Sequence, residues 1–163
     1  MKDLLEKITS YNLFNYLLPG VLFVTILDKF TIYSFTQENL VIGAFVYYFV
    51  GLVISRFGSL VIDPFLKRIS FLKFAAYEDF VSVSKQDPKV EIFSEINNMY
   101  RTFCAMFVLL VLAKLYEWIE YKIPFLMKWN FYFLIALLLI TFLFSYKKQT
   151  EYIKRRITTS NRS

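Results

Sequence analysis

The sequence predicts an all-α, polytopic membrane protein: four transmembrane helices, with a helical cytoplasmic segment between spans two and three. Three observations carry that expectation. Hydrophobic residues make up 57% of the 163 residues and aromatics 20%, well above a soluble average. The apolar residues gather in four runs near the length that crosses a bilayer as a helix, about 20 residues. Basic residues alternate between crowded and sparse segments from one run to the next, which is the pattern that sets membrane orientation. The length is that of one domain. Four Gly and four Pro argue against a linker-rich or disordered chain.

Span one covers residues 11–27, about 25 Å of helix. A cleavable export signal is a poor rival for it. The N-terminal region mixes Asp3 and Glu6 with Lys2 and Lys7, and no small-x-small site follows Leu27 before Asp28 and Lys29. Span two, 40–62, contains one charge, Arg56. Span three, 102–120, carries Lys114, Glu117 and Glu120 toward its end, which reads as a helix end meeting water. Span four, 129–146, is "WNFYFLIALLLITFLFSY" and has no charge. "KIPFLMKW", 122–129, is a short outer link. Hydrocarbon offers no partner for open backbone groups, so each span must be helical.

Orientation follows Lys and Arg. The N-terminus, the segment 63–101 and the tail 147–163 hold fourteen basic residues; the other side holds Lys29, Lys122 and Lys128. That asymmetry expects both termini in the cytoplasm. Trp118, Trp129, Tyr33 and Tyr121 then form an outer aromatic belt.

Within 63–101, Asp63-Pro64 and Asp87-Pro88 each read as an N-cap followed by Pro at N1, hence a helix start. After the first, Phe65, Ile69, Leu72, Ala76, Phe80 and Val83 form one apolar stripe. After the second, Ile92, Ile96, Met99 and Phe103 lead into span three, so one helix of about 50 Å is expected from Pro88 to about Glu120. The first stripe suits packing within the subunit, the inner leaflet, or an oligomer interface.

Several chemistries are excluded. There is no His and a single Cys, Cys104, which reads as a small buried apolar residue. His-based catalysis, Cys/His zinc sites and an intramolecular disulfide are therefore impossible. No Gly-rich phosphate loop occurs, and no Ser nucleophile has a base. With Glu117 and Glu120 read as meeting water, no intramembrane carboxylate supports a proton-coupled transporter. No internal repeat supports a secondary transporter. The expectation is no enzyme and no cofactor.

The functional candidates are few. Arg56 is the one charge well inside a span, read either as snorkelling to headgroups or as a pore-lining or gating cation paired with Asp63. Seven residues apart on a regular helix, the two share a face. Gly51, Ser55 and Ser59 recur every four residues and suit close helix packing. Pro19 has no N–H and leaves the Asn15 carbonyl without its donor, so a kink is expected at Pro19 and Gly20. Asn12 and Asn15 then either satisfy the kink locally or bond across subunits and line a path. Lys67, Arg68, Lys73, Lys147, Lys148, Lys154, Arg155 and Arg156 suit anionic lipid, or an anionic ligand such as a short oligonucleotide.

"YNLFNYLLPG", Tyr11 to Gly20, followed by an apolar run, resembles the start of small four-span membrane proteins of bacterial antiphage defence operons. The Hailong membrane effector and the Kiwa membrane subunit are the two to compare. The first resemblance implies a tetrameric, channel-like killer controlled by a partner nucleotidyltransferase through short DNA oligomers. The second implies a tetrameric membrane sensor controlling a cytoplasmic DNA-binding partner. Neither assigns a role to any residue here. The functional expectation is thus a homo-oligomeric channel-like effector with its pore between subunits, the alternative being a sensor or scaffold.

Overall fold

The computed structural model describes residues 11–160, and all regular structure among them is helical. The helices are α1 (Leu13–Phe30), α2 (Leu40–Arg68), α3 (Tyr77–Gln86), α4 (Lys89–Lys122) and α5 (Asn130–Ser160). A 3-10 turn, Pro124–Trp129, joins α4 to α5. By length and composition α1, α2, α4 and α5 can each cross a membrane. Lys2, Lys7 and Arg162, counted for orientation, and Asp3 and Glu6, weighed against an export signal, lie outside the described residues.

Local chemistry sets the helix ends. Asn39 caps α2, its Oδ1 accepting from the N–H groups of Val41 (2.9 Å) and Ile42 (3.1 Å). Asp87 Oδ1 accepts from the Lys89 N–H at 2.9 Å, and α4 then runs unbroken for 34 residues, about 50 Å. Asp63 behaves differently from the expected cap. It is fully helical (φ −56°, ψ −52°), and the helix of span two runs through it to Arg68. There Ser70 takes a positive φ of 58° and turns the chain, with its N–H on the Lys67 carbonyl at 3.0 Å. The single stripe expected from Phe65 to Val83 is therefore broken. Residues 69–76 are non-helical, and only Tyr77–Gln86 continues as helix.

Two helices carry a widened π turn just ahead of a proline. Leu13–Leu17 precedes Pro19, with the Leu18 N–H on the Leu13 carbonyl. Gly58–Ile62 precedes Pro64, with the Asp63 N–H on the Gly58 carbonyl. A proline ring collides with the carbonyl four residues earlier. In both places that residue, Asn15 or Leu60, lies inside the widened turn, so the helix passes the proline without ending.

The core is built by three helices. Phe23, Val24 and Leu27 of α1 meet Ile54 of α2 and Ala105 and Met106 of α4. In lipid such contact is favoured by close packing rather than by expelling water. Glycine makes the α1–α2 contact closest. A Cβ on Gly20 would sit 1.8 Å from the Tyr47 carbonyl oxygen, and one on Gly51 would sit 1.7 Å from that of Tyr16. The two backbones touch at both positions.

Helix α5 stands apart. It adds nothing to that core cluster, and 6% of its apolar window is buried against 33% for α1. Phe142 stacks on Phe49 at 6.0 Å, and Tyr152 meets Tyr77 edge-on at 5.3 Å. Where α5 begins, Glu120 accepts from the Tyr33 hydroxyl and the Asn130 side-chain amide, and the Tyr116 hydroxyl donates to Asn130 Oδ1 at 2.7 Å. Glu120 is thus 4% exposed, a correction to its reading as a helix end meeting water. Tyr33, in the α1–α2 loop, has its pKa raised, first by burial and then by its bond to Glu120, so it stays a donor. Lys114 Nζ lies 2.7 Å from Glu117 Oε2, a close ion pair without hydrogen-bond geometry. Cys104, expected buried, is exposed on α4, because Ala105 and Met106 beside it take the core face.

Two substitutions test the glycine contact. Gly51→Ala must separate α1 from α2 and is expected to destabilise the protein by at least the 1–3 kcal/mol or so typical of overpacking. Gly43→Ala meets only a side chain, the Tyr47 ring at 3.3 Å, and should cost far less. Thermal unfolding in detergent measures both.

Candidate functional site

Where α2 and α5 end and α4 begins, the helices border a half-open cavity of about 860 Å³. Among the described residues, five cationic side chains line it, Arg56, Lys67, Arg101, Lys148 and Arg155, and one carboxylate, Asp63. Aromatic rings from α1, the α2–α3 connection, α3 and α5 complete the wall, among them Tyr16, Phe74, Tyr77 and Tyr152.

Four of these cations are held by specific contacts. Arg101 Nη1 donates to Asp63 Oδ2 at 3.1 Å, an ion pair with 19% and 14% of the two side chains exposed. Arg56 Nη2 reaches the Tyr16 hydroxyl at 3.5 Å. The Tyr16 ring is fixed edge-on between Tyr11 (5.8 Å) and Tyr48 (5.5 Å). Lys148 Nζ donates to the carbonyl of Ser59 at 2.6 Å and to its hydroxyl at 2.7 Å. Lys67 lies over the Phe74 ring, 4.1 Å from its centroid, in a cation–π contact. Behind them the Thr102 hydroxyl donates to the Asn98 carbonyl at 2.8 Å and lies 3.3 Å from the Ser55 hydroxyl.

The expected pair of Arg56 with Asp63 does not form. Arg56 turns to Tyr16, and Asp63 pairs with Arg101 of α4. The π turn Gly58–Ile62 lies between them. A turn closed over five residues instead of four delays the helix's rotation, so positions seven apart no longer coincide on one face. Both still line the cavity.

The cations crowd each other. The Lys148 ammonium has its pKa lowered, first by loss of hydration, and further by the charges of Arg101, Lys67 and Arg56; Asp63 acts the other way. Side-chain donors are also left over. Among the described residues, Arg101 Nε and the Ser145 hydroxyl are buried without a hydrogen-bond partner, and both residues line this cavity. The other such atoms, Asn15 Oδ1 and Glu117 Oε2, are acceptors on residues outside its lining. The cavity therefore combines surplus positive charge with surplus donors, the complement of an anion with several oxygens.

Of the basic residues singled out from sequence, Lys67, Lys148 and Arg155 come together here, with Arg56, Asp63, Ser55 and Ser59. Arg68, Lys73, Lys147, Lys154 and Arg156 are exposed and outside the lining. Asn12 is half-buried. Asn15 is 2% exposed inside the subunit, which corrects its reading as a contact across subunits or along an open path. Pro19, Gly20 and Gly51 belong to the helix contact. Sequence reasoning used Arg101 only to orient the chain and missed it as a site residue. Its signal is positional, since it is the last base before span three as Asp63 is the first acid after span two.

Asp63→Asn should lower stability by about 1–3 kcal/mol, because it leaves Arg101 facing other cations with a weaker partner. The loss should shrink as salt rises, since salt screens that repulsion. Unfolding in detergent at low and high salt checks both. In comparisons with known proteins, no family model matches this chain, and neither a curated protein nor a solved structure matches it significantly.

Proposed function

We propose that this chain is a homo-oligomeric, channel-like effector of the bacterial inner membrane, with both termini cytoplasmic, that opens to depolarise the membrane and arrest or kill the host cell. The observation that carries the reading is the division of labour among the helices. The α1–α2–α4 core is closed by Phe23, Val24, Leu27, Ile54 and Met106, so a conducting path belongs between copies. Helix α5 leaves its apolar length open to lipid or to another copy. The cationic cavity then forms a vestibule on the cytoplasmic side, where the positive-inside rule puts the fourteen basic residues. Antiphage defence as the setting, and four copies as the assembly, rest on the resemblance of Tyr11–Gly20.

A second reading has its own support. Helix α4 is about 50 Å long and α5 about 46 Å, against a hydrocarbon core of about 30 Å. With α3, their ends form a helical collar of the kind that docks a soluble protein. This is the sensor or scaffold reading, with a cytoplasmic DNA-binding protein as the partner.

Ion flux from liposomes holding purified protein separates the two. The effector reading expects flux, and it expects Arg56→Ala to lower chloride flux relative to potassium by removing a cation at the mouth. No flux in any ligand condition, together with stable co-purification of a cytoplasmic protein, sinks the channel and leaves the sensor.

A further inference from the structure

We propose that the cavity at the basic end is a binding site for a phosphate-bearing ligand, held by Lys67, Arg101, Lys148 and Arg155. Among the described residues five cations face one carboxylate there, and that carboxylate is already taken by Arg101. The unpartnered donors come from two different helices: Arg101 from α4 and Ser145 from α5. A single chloride could not reach donors spread over some 860 Å³ of cavity. A phosphate group offers several acceptor oxygens, which suit guanidinium and ammonium donors together. The volume falls in the range of small-molecule sites, about 300–1,000 Å³. The Phe74, Tyr77 and Tyr152 rings give the non-phosphate part of the ligand an apolar surface to rest on.

This differs from a basic tail lying on lipid. A tail draws on all its charges alike, whereas the cavity uses Lys67 and Arg155 and leaves out Lys147 and Arg156. The proposal stands whether or not the assembly conducts, and binding, not flux, tests it. Soluble ligands and lipid headgroups both carry such a phosphate, and two arms distinguish these sources.

In the first arm, protein in phosphatidylcholine nanodiscs is titrated with inorganic pyrophosphate by calorimetry. In the second, the protein is delipidated, offered phosphatidylglycerol against phosphatidylcholine, and the retained lipid is measured by native mass spectrometry. Lys67→Gln and Arg155→Gln should each weaken binding about tenfold in whichever arm shows it. Lys147→Gln and Arg156→Gln should stay within about twofold, as distant screened charges do. Lys67→Arg should retain binding. Lys67 and Arg155 are exposed at the rim, so these variants should fold, and unchanged unfolding midpoints without ligand verify it. Saturable pyrophosphate binding with this pattern identifies a soluble ligand. Selective phosphatidylglycerol retention with this pattern identifies a headgroup. No binding in either arm, or equal losses from the cavity and tail variants, overturns the site.

Discussion

Gly20 and Gly51 bring the backbones of α1 and α2 into direct contact, and the remaining geometry follows from that distance. The two contacts are reciprocal: each glycine rests on the carbonyl of a tyrosine in the other helix. With the helices so close, Ile54 reaches the α1 side chains Val24 and Leu27, and α4 can close the third side with Ala105 and Met106. The same approach seats Tyr16 between two other tyrosines and sets its hydroxyl beside Arg56. A side chain at either glycine would push apart the core and the cavity wall together.

The two ends of the bundle solve opposite problems. At the end where α4 meets α5, one carboxylate is buried and satisfied by neutral donors from Tyr33 and Asn130. That network ties the α1–α2 loop, α4 and α5 to one residue. At the other end positive charge is in excess, and its partners are a lone carboxylate, a serine carbonyl, a phenol and an aromatic face. Buried or half-buried cations are costly unless paired. Arg56 and Arg101, the half-buried ones, are met by a phenol and by Asp63, while Lys67, Lys148 and Arg155 stay exposed.

Much of the architecture was legible in sequence because hydrocarbon permits few alternatives. Four apolar runs had to be helices, and the long helix through span three followed from Asp87-Pro88 and the spacing of Ile92, Ile96 and Met99. The α2–α3 connection was not legible. Asp63-Pro64 carries the same signal as Asp87-Pro88, and only the widened turn ahead of it lets the helix pass through. Glu120 was misread because a carboxylate beside two aromatic residues at a span's end usually meets water. Its partners, Tyr33 and Asn130, are 87 and 10 residues away in the chain. Of the cavity, Arg56, Lys67, Lys148 and Arg155 were visible as charges. That they converge while Lys147 and Arg156 do not depends on the rotation of α5 against α2, which composition does not carry.

The widened turn in α2 separates two duties along a single rod. Residues before Gly58 are phased by the glycine contact with α1; those from Asp63 onward are phased by Arg101 of α4. A regular α-helix would lock these phases together, 100° for each residue. Inserting a π turn lets the helix serve two neighbours that demand different angles. Pro64 fixes where that turn sits, because the Leu60 carbonyl has to lie within it. The rim that carries Asp63 and Lys67 is thereby set at one angle and the packed core at another.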